Sequence, residues 1–505
     1  MKALEVVATV LLSIAAWEVL RYAAWRALRD RWQQGIGEWM RKHDVRLEHF
    51  RFVDRVWVRQ ALLQDPALDR AAADRAAELG VGVGEVRARM VVWLDEIVPY
   101  FNLLSYYKLG GSVASWATNL AYELVFDTAG LAAARKAIPD GAVTVYVANH
   151  RSNADYVVLS VGAMNQVALS YAVGEWARVW PLDTLFRSFG SYLIRRGEKD
   201  PLYHRVLQRY LQLVASRGLT TAFFPEGALS RDGALRVPKL GLLDYLLGIL
   251  QDDPGREIWF VPIGINFDRV LEDRNLTAEA ADAPPPRWTD KFRSLGRIAR
   301  ATPRVLFAAL GPQWLRAHRK YGYAAVQFGP AVSAATLEPE IVAVARLPRK
   351  ERLARLAVLA DRLVDRIAAV IPTTPVVLVA QALVGGEREV VAIRKHVRSG
   401  IASARAVARP VAQGRAFDLV RGARARVEEA DDRSPQATLD REIVDAEEAE
   451  RTVDLALALL RRRGLVGGGR DVVTVSADDE HLLRYYARSV EAPSRRAAEQ
   501  APRPV

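Results

Sequence analysis

The sequence predicts an α/β fold in which a mixed, largely parallel sheet is flanked by helices, with helical regions on its N-terminal and C-terminal sides. Short apolar runs bounded by turn residues predict strands at 142–149, 219–224, 258–265 and 324–329. Helical patterns separate these runs, for example at 200–218. Because strands that alternate with helices are typical of parallel sheets, the two observations together indicate the fold class.

The first 32 residues predict a membrane-associated helix. Residues 3–25 are mostly apolar and long enough in principle to span a bilayer, which takes about 20 residues. Glu5, Glu18 and Arg21 interrupt the run, and arginines follow it. We expect peripheral or weak anchoring at the cytoplasmic face of the cell membrane. The alternative is a buried helix that packs on the rest of the protein.

The other predicted boundaries follow changes of pattern along the chain. Helical periodicity before the first strand predicts a helical N-terminal domain over 33–135, and the α/β domain is expected over 136–335. From about residue 336 the chain is helical and charged, which predicts a helical C-terminal domain over 336–491. The tail 492–505 is expected to be disordered.

Composition restricts the chemistry. The 505 residues include no cysteine, which excludes disulfides, thiolate nucleophiles and cysteine-ligated zinc. A net charge of +12 suits anionic partners, whether phosphate substrates, acidic lipid surfaces or nucleic acid. The sequence has no metal-ligand, P-loop or dinucleotide motif, so we expect neither a metal nor a cofactor.

The stretch NHRSNADY at 149–156 holds the first candidate site residues. His150 follows a predicted strand, and Asp155 falls in the first turn of the next helix. The carboxylate can reach back to Nδ1 of His150 and leave Nε2 as a general base. Ser152 and Asp155 also match a helix capping box, a structural explanation that this stretch alone favours.

Two further stretches supply polar residues at predicted strand ends, where ligands bind in such sheets. The adjacent Arg195 and Arg196 can clamp a phosphate, although such a pair is more often a solvated surface feature. In the next stretch, Glu226 can orient a hydroxyl group and Gly227 lets the backbone approach a ligand. The residues that follow add candidates: Ser230, Arg231 and Lys239.

These stretches of sequence, in the order in which they occur, resemble motifs of the glycerolipid acyltransferases. Within that family, they resemble the glycerol-3-phosphate acyltransferases of the bacterial membrane type. The resemblance is strong over 140–335 and thinner towards EHLLRYYARSV near the C-terminus. The strand segment Val261–Ile263, with Pro262, matches a fourth block. Leu229 stands where the family usually has an arginine, which leaves phosphate binding to the other cations: Arg195, Arg196, Arg231 and Lys239.

The resemblance also implies a reaction. His150, oriented by Asp155, takes a proton from the 1-hydroxyl of sn-glycerol 3-phosphate. The oxygen then attacks the thioester of acyl-CoA or acyl-carrier protein and gives lysophosphatidate, the first step of phospholipid synthesis. The substrate-binding residues it implies are Arg195, Arg196, Glu226, Gly227, Ser230, Arg231, Lys239 and Pro262. Membrane lipids are expected partners, and nucleic acid is not.

Two alternatives stay open. The acceptor can instead be lysophosphatidate or dihydroxyacetone phosphate. A protein of another class would be a non-catalytic basic scaffold that binds membranes or nucleic acid, and residues 459–476 superficially resemble the wing of a winged helix. Catalysis predicts that Nε2 of His150 opens into a cleft shared with Arg195, Arg231 and Lys239, whereas burial in the core favours the capping role.

Overall fold

The computed structural model describes the following residues: 55–99, 115, 118–119, 121–163, 166–167, 169–174, 186–187, 190–195, 197–280, 321–411 and 435–491. The predicted membrane-associated helix, Arg196 and the predicted disordered tail lie outside them. Within these ranges, no helix has the length and apolar character that a membrane crossing requires. The elements below belong to one unit, residues 51–164 and 168–505.

A mixed sheet lies at the centre of this unit. Its strands are β1 (Glu123–Phe126), β2 (Val143–Ala148), β3 (Ser170–Val173), β4 (Tyr192–Leu193), β5 (Thr221–Phe223), β6 (Ile258–Phe267), β7 (Tyr323–Phe328) and β8 (Val332–Ser333). The spatial order is β1-β7-β6-β2-β5-β3-β4, and β8 pairs with β6. Strand β6 pairs antiparallel with β7 and β8, while every other described pair in this sheet is parallel. The predicted fold class is confirmed.

In the part of the chain that the structure describes, three helices before the sheet pack on a fourth. They are α1 (Arg55–Leu63), α2 (Pro66–Leu79), α3 (Val83–Ile97) and, after β4, α6 (Pro201–Ser216). Asp65 begins α2 by accepting the N–H of Ala67 at 2.8 Å, and Gly80 ends it with φ of 67°. Their apolar faces share one buried cluster that includes Leu68, Leu94 and Leu211. This core fixes α3 beside the β4 end of the sheet.

A second buried cluster covers β2 and β6 with helices from later in the chain. Besides α6, the described helices between β1 and β8 are α4 (Thr128–Ala137), α5 (Asp155–Ala163), α7 (Gly241–Leu247), α8 (Ile249–Asp252) and α9 (Asp273–Ala280). Those that follow are α10 (Ala334–Leu337), α11 (Ile341–Arg346) and α12 (Arg349–Ala368). Val145, Phe260 and Leu359 belong to this cluster and are fully buried.

The C-terminal part is helical with one small hairpin. Its elements are α13 (Pro375–Val384), α14 (Val390–Val411), α15 (Pro435–Arg462), β9 (Val466–Gly468), β10 (Val473–Val475), a 3-10 turn (Ala477–Asp479), α16 (Glu480–Ala487) and a second 3-10 turn (Arg488–Val490). The hairpin falls in the wing-like stretch. Strand β1 joins the sheet before residue 136, and the predicted domain boundaries stay predictions.

Candidate active site

The end of β2 is locked to the neighbouring strand β6 by a side chain. Asn149 donates its amide N–H to the carbonyl of Ile265 at 2.8 Å and accepts the N–H of Ile265 at 2.7 Å. Asn149 thus replaces the ladder hydrogen bonds where β2 ends. The next residue, His150, therefore leaves the sheet at a fixed position on the edge where the parallel strands end.

His150 and Asp155 form a hydrogen-bonded pair in the protein interior. Nδ1 of His150 lies 2.8 Å from Oδ2 of Asp155, and the two side chains are 2% and 0% exposed. Because a carboxylate oxygen only accepts, Nδ1 carries the proton in the neutral ring and Nε2 keeps its lone pair. The ring stacks on Phe224 with centroids 4.1 Å apart.

The same carboxylate oxygen also serves the helix terminus. Oδ2 of Asp155 accepts the backbone N–H of Arg151 at 2.7 Å and of Ser152 at 3.0 Å. The hydroxyl of Ser152 accepts the N–H of Ala154 at 3.1 Å. The capping interpretation and the dyad interpretation therefore describe one arrangement, in which the cap holds the carboxylate against the imidazole.

A cavity of about 400 Å³ opens beside His150. Its wall is largely apolar, with Val173, Ile194, Leu207, Phe223 and Leu242. Charged and polar side chains line it as well: Arg195, Glu198, His204, Lys239 and Tyr245. His150, Arg195 and Lys239 thus share one cleft, as a catalytic site requires.

Comparisons with known proteins show which part of this chain resembles them. Residues 133–266 match the acyltransferase family. This segment is an acyltransferase domain. The predicted resemblance to glycerolipid acyltransferases is thereby confirmed at the level of the family.

Curated relatives also match part of this chain. A glycerol-3-phosphate acyltransferase of Histophilus somni (strain 129Pt) is 31% identical over 54% of this chain and 35% of its own length. Relatives of the same name from Aeromonas hydrophila and Haemophilus influenzae (strain PittEE) are each 32% identical. They match over 42% and 47% of this chain, and over 26% and 30% of their own lengths. The chain thus spans about a quarter to a third of the length of these relatives.

A solved structure is also similar to part of this chain. It is the 1-acyl-sn-glycerophosphate (LPA) acyltransferase PlsC from Thermotoga maritima. The match has a TM-score of 0.28 and 15% identity, and it covers 51% of this chain and 77% of that chain.

Arg195 lines the cavity but has carboxylate partners. Its Nε and Nη2 donate to Glu96 of α3 at 2.9 and 2.7 Å, and Nη1 donates to Glu198 at 3.3 Å. The hydrogen bond to Glu96 raises the pKa of Arg195 above its ordinary value. Arg195 therefore ties α3 to the segment after β4, and its charge is largely balanced inside the protein.

Lys239 differs from Arg195 because its ammonium group has no hydrogen-bond or ion-pair partner among the described residues. The side chain is exposed and lies over Gly227, where an added Cβ would meet Cδ of Lys239 at 2.7 Å. Gly227 has φ of 65°, a backbone conformation that favours glycine. The acyltransferase domain thus presents an unpaired cation at its cleft.

Three predicted substrate-binding residues of the domain lie outside the lining of this cavity and are buried: Glu226, Ser230 and Pro262. Glu226 accepts the N–H of His150 at 2.8 Å and of Arg236 at 3.0 Å, while burial raises its pKa to about 7. Ser230 donates its hydroxyl to the carbonyl of Ala234 at 2.7 Å. The geometry gives Glu226 and Ser230 supporting contacts in the turn that follows β5.

The last predicted cation, Arg231, is exposed and does not line the cavity. The carbonyl of Leu229, the residue that departs from the family pattern, accepts a 3.1 Å hydrogen bond from Arg236. No group of three or more acidic or histidine side chains in the described ranges is arranged to hold a metal ion.

Sequence reasoning missed Glu272, which follows β6 and contacts the turn after His150. Its carboxylate accepts the hydroxyl of Ser152 at 2.7 Å. A carboxylate soon after a predicted strand was the available signal, because strand ends meet at one edge of the sheet. The chain separation of 120 residues hides the pairing from any local pattern.

Proposed function

We propose that this chain transfers a fatty acyl group from acyl-CoA or acyl-carrier protein to the 1-hydroxyl of sn-glycerol 3-phosphate. The product is lysophosphatidate, so the reaction is the first step of phospholipid synthesis. The observation that carries the proposal is the buried His150–Asp155 pair, whose imidazole lines a cleft with a cation. Relatives named glycerol-3-phosphate acyltransferase support the choice of acceptor.

The dyad performs the chemistry directly. Nε2 of His150 takes the proton of the 1-hydroxyl as its oxygen attacks the thioester carbonyl, and Asp155 stabilises the imidazolium that forms. The tetrahedral intermediate collapses, the C–S bond breaks, and His150 returns the proton to the departing sulfur. The products are lysophosphatidate and a free thiol. No acyl-enzyme is formed, which suits a chain without cysteine.

The cleft supplies complementary surfaces for both substrates. Lys239, with Arg195, provides positive charge for the phosphate, and we include Arg196 and Arg231 in the proposed binding set. Gly227 lets the backbone approach the ligand. The apolar wall formed by Ile194, Leu207 and Leu242 suits an acyl chain. No cofactor is required, because the thioester supplies the activated acyl group.

We also propose that residues 1–32 associate with membrane lipids at the cytoplasmic face of the cell membrane. Their apolar run and following arginines support peripheral or weak anchoring. Attachment there would release lysophosphatidate, an amphiphile, directly into the bilayer.

The proposal is tested with the full chain reconstituted in phospholipid vesicles. Labelled sn-glycerol 3-phosphate is offered with palmitoyl-CoA or palmitoyl-acyl-carrier protein, and labelled lysophosphatidate and dihydroxyacetone phosphate are offered in parallel. We expect labelled lysophosphatidate from glycerol 3-phosphate. We expect Asp155→Asn to lower kcat by about 10²- to 10⁴-fold, since it disturbs the tautomer of His150. Product from another acceptor alone would reject the proposed substrate, and no transfer with either donor would reject the activity.

A further inference from the structure

Carboxylates accept the successive backbone N–H groups of the turn that carries His150. Glu226 accepts the N–H of His150 at 2.8 Å, and Asp155 accepts those of Arg151 and Ser152 at 2.7 and 3.0 Å. The N–H of Asn153 goes to Glu272 at 3.3 Å. Four successive amides of the turn are thus bound by three carboxylates, and Glu272 is the one that no part of the proposed chemistry uses.

Glu272 also accepts hydrogen bonds from two side chains of the turn. Oε2 accepts the hydroxyl of Ser152 at 2.7 Å, and Oε1 accepts the side-chain N–H of Asn153 at 3.2 Å. Burial raises the pKa of Glu272, and the nearby charge of Asp155 acts in the same direction, whereas the hydrogen bond from Ser152 opposes them. The carboxylate of Glu272 therefore lies close to the His150–Asp155 dyad, and hydrogen-bond donors of the turn offset the cost of burying it.

Asp273, the residue next to Glu272, anchors this part of the chain to the C-terminal part. Asp273 begins α9, is 4% exposed, and accepts hydrogen bonds from Nη2 of Arg463 and from the hydroxyl of Tyr486. Arg463 also donates to the Tyr486 hydroxyl at 3.0 Å. Two adjacent acids thus connect the turn to the C-terminal part: Asp273 contacts α16 and the residue after α15, and Glu272 contacts the turn.

We propose that Glu272 is a positioning residue for acyl transfer, which holds Ser152 and Asn153 so that the turn presents His150 to the cleft. The inference rests on the proposed function. Among the described residues, Glu272 does not line the cavity and its hydrogen bonds go to Ser152 and Asn153, so it acts through the turn. Small displacements of a general base lower the rate of the chemical step more than they weaken substrate binding.

The first test is Glu272→Gln. The glutamine has a single acceptor oxygen, so it cannot accept from Ser152 with one oxygen and from Asn153 with the other. We expect kcat to fall about 10- to 100-fold, with KM for glycerol 3-phosphate and for palmitoyl-CoA within about twofold of wild type. The matched control is Glu338→Gln, which removes a carboxylate that is 5% exposed and pairs with Arg355. It should lower the melting temperature without lowering kcat.

Ser152→Ala removes the same hydrogen bond from the turn. If Glu272 acts through this bond, the double variant loses less activity than the product of the two single losses. This variant also tests the inference where Glu272→Gln does not fold.

Two results would overturn the inference: a Glu272→Gln enzyme with wild-type kcat, or a loss of kcat that Glu338→Gln reproduces. Wild-type protein without acyl transfer would instead reject the proposed function. The two failures are therefore distinguishable in one assay.

Discussion

Two histidines line the same cavity, and their hydrogen bonds assign them different chemistry. His150 has Nδ1 on the carboxylate of Asp155, and its Nε2 has no hydrogen-bond partner among the described residues. His204 has Nε2 on the carbonyl of Glu198 at 2.9 Å and Nδ1 on the hydroxyl of Tyr245 at 3.0 Å. Position in a cleft therefore does not make a histidine a base.

The difference follows from what each partner can donate. A backbone carbonyl only accepts, so Nε2 of His204 must carry the proton and Nδ1 must accept from Tyr245. Burial raises the pKa of Tyr245 to about 12, which keeps its hydroxyl protonated as that donor at neutral pH. His204 thus has both nitrogens in use, whereas His150 keeps one lone pair for a substrate.

The largest expected effect separates these two histidines. His150→Ala should lower kcat by about 10²- to 10⁴-fold, because it removes the general base. His204→Ala should lower kcat less than tenfold and act mainly on stability, since it removes two structural hydrogen bonds. Steady-state kinetics and thermal unfolding of both variants measure the contrast. Equal losses of kcat would mean that His204 takes part in the reaction or that His150 does not.

The sequence could predict the dyad because its members are neighbours on the chain. His150 and Asp155 are five residues apart, and the turn brings them together whatever the remainder of the fold does. The partner of Arg195 could not be predicted this way. Glu96 lies 99 residues away on another helix, and only the packing of α3 against β4 makes the contact.

The fold was predictable where a strand is buried within a continuous apolar run. Apolar runs predicted β2, β5, β6 and β7 because strands buried by helices need continuous apolar side chains. Strand β1 has four partly or fully exposed residues at the edge of the sheet, and β4 has two residues. The partial exposure of β1 and the two-residue length of β4 leave no buried apolar run that would predict them, so the pairing with neighbouring strands defines them.

A second comparison concerns the two cations of the cleft. Lys239→Ala should raise KM for glycerol 3-phosphate about tenfold or more, because its unpaired charge is available for the phosphate. The melting temperature should hardly change, since Lys239 is exposed. Arg195→Ala should lower the free energy of unfolding by about 1–2 kcal/mol through loss of its bonds to Glu96 and Glu198.

Kinetic constants and denaturant unfolding of both variants measure this contrast. A Lys239→Ala enzyme with unchanged KM, beside a large rise in KM for Arg195→Ala, would reverse the assignment. The phosphate would then displace Glu96 from Arg195 on binding.

The smallest expected effect is on the pH dependence of the free energy of unfolding. It concerns Glu226, which accepts the backbone N–H of His150, and not Asp155, which orients the imidazole. Burial raises the pKa of Glu226 to about 7 from its usual 4.5. Between these values the folded protein binds more protons than the unfolded chain, so the stability contributed by Glu226 is lost as the pH rises through that interval. Glu226→Gln has no such titration, and its free energy of unfolding should fall less than that of wild type between pH 5 and pH 7.5.

The difference between wild type and Glu226→Gln is the quantity to measure, by urea unfolding at the two pH values. Burial also raises the pKa of Asp268 to about 6, so its contribution to stability is likewise lost as the pH rises. Asp268 is present in both proteins, and its contribution therefore cancels in the difference. Parallel pH dependence in the two proteins would mean that Glu226 stays ionised across the interval. Its hydrogen bonds from His150 and Arg236 would then outweigh the cost of burial, and the turn would be held by charge on all three carboxylates.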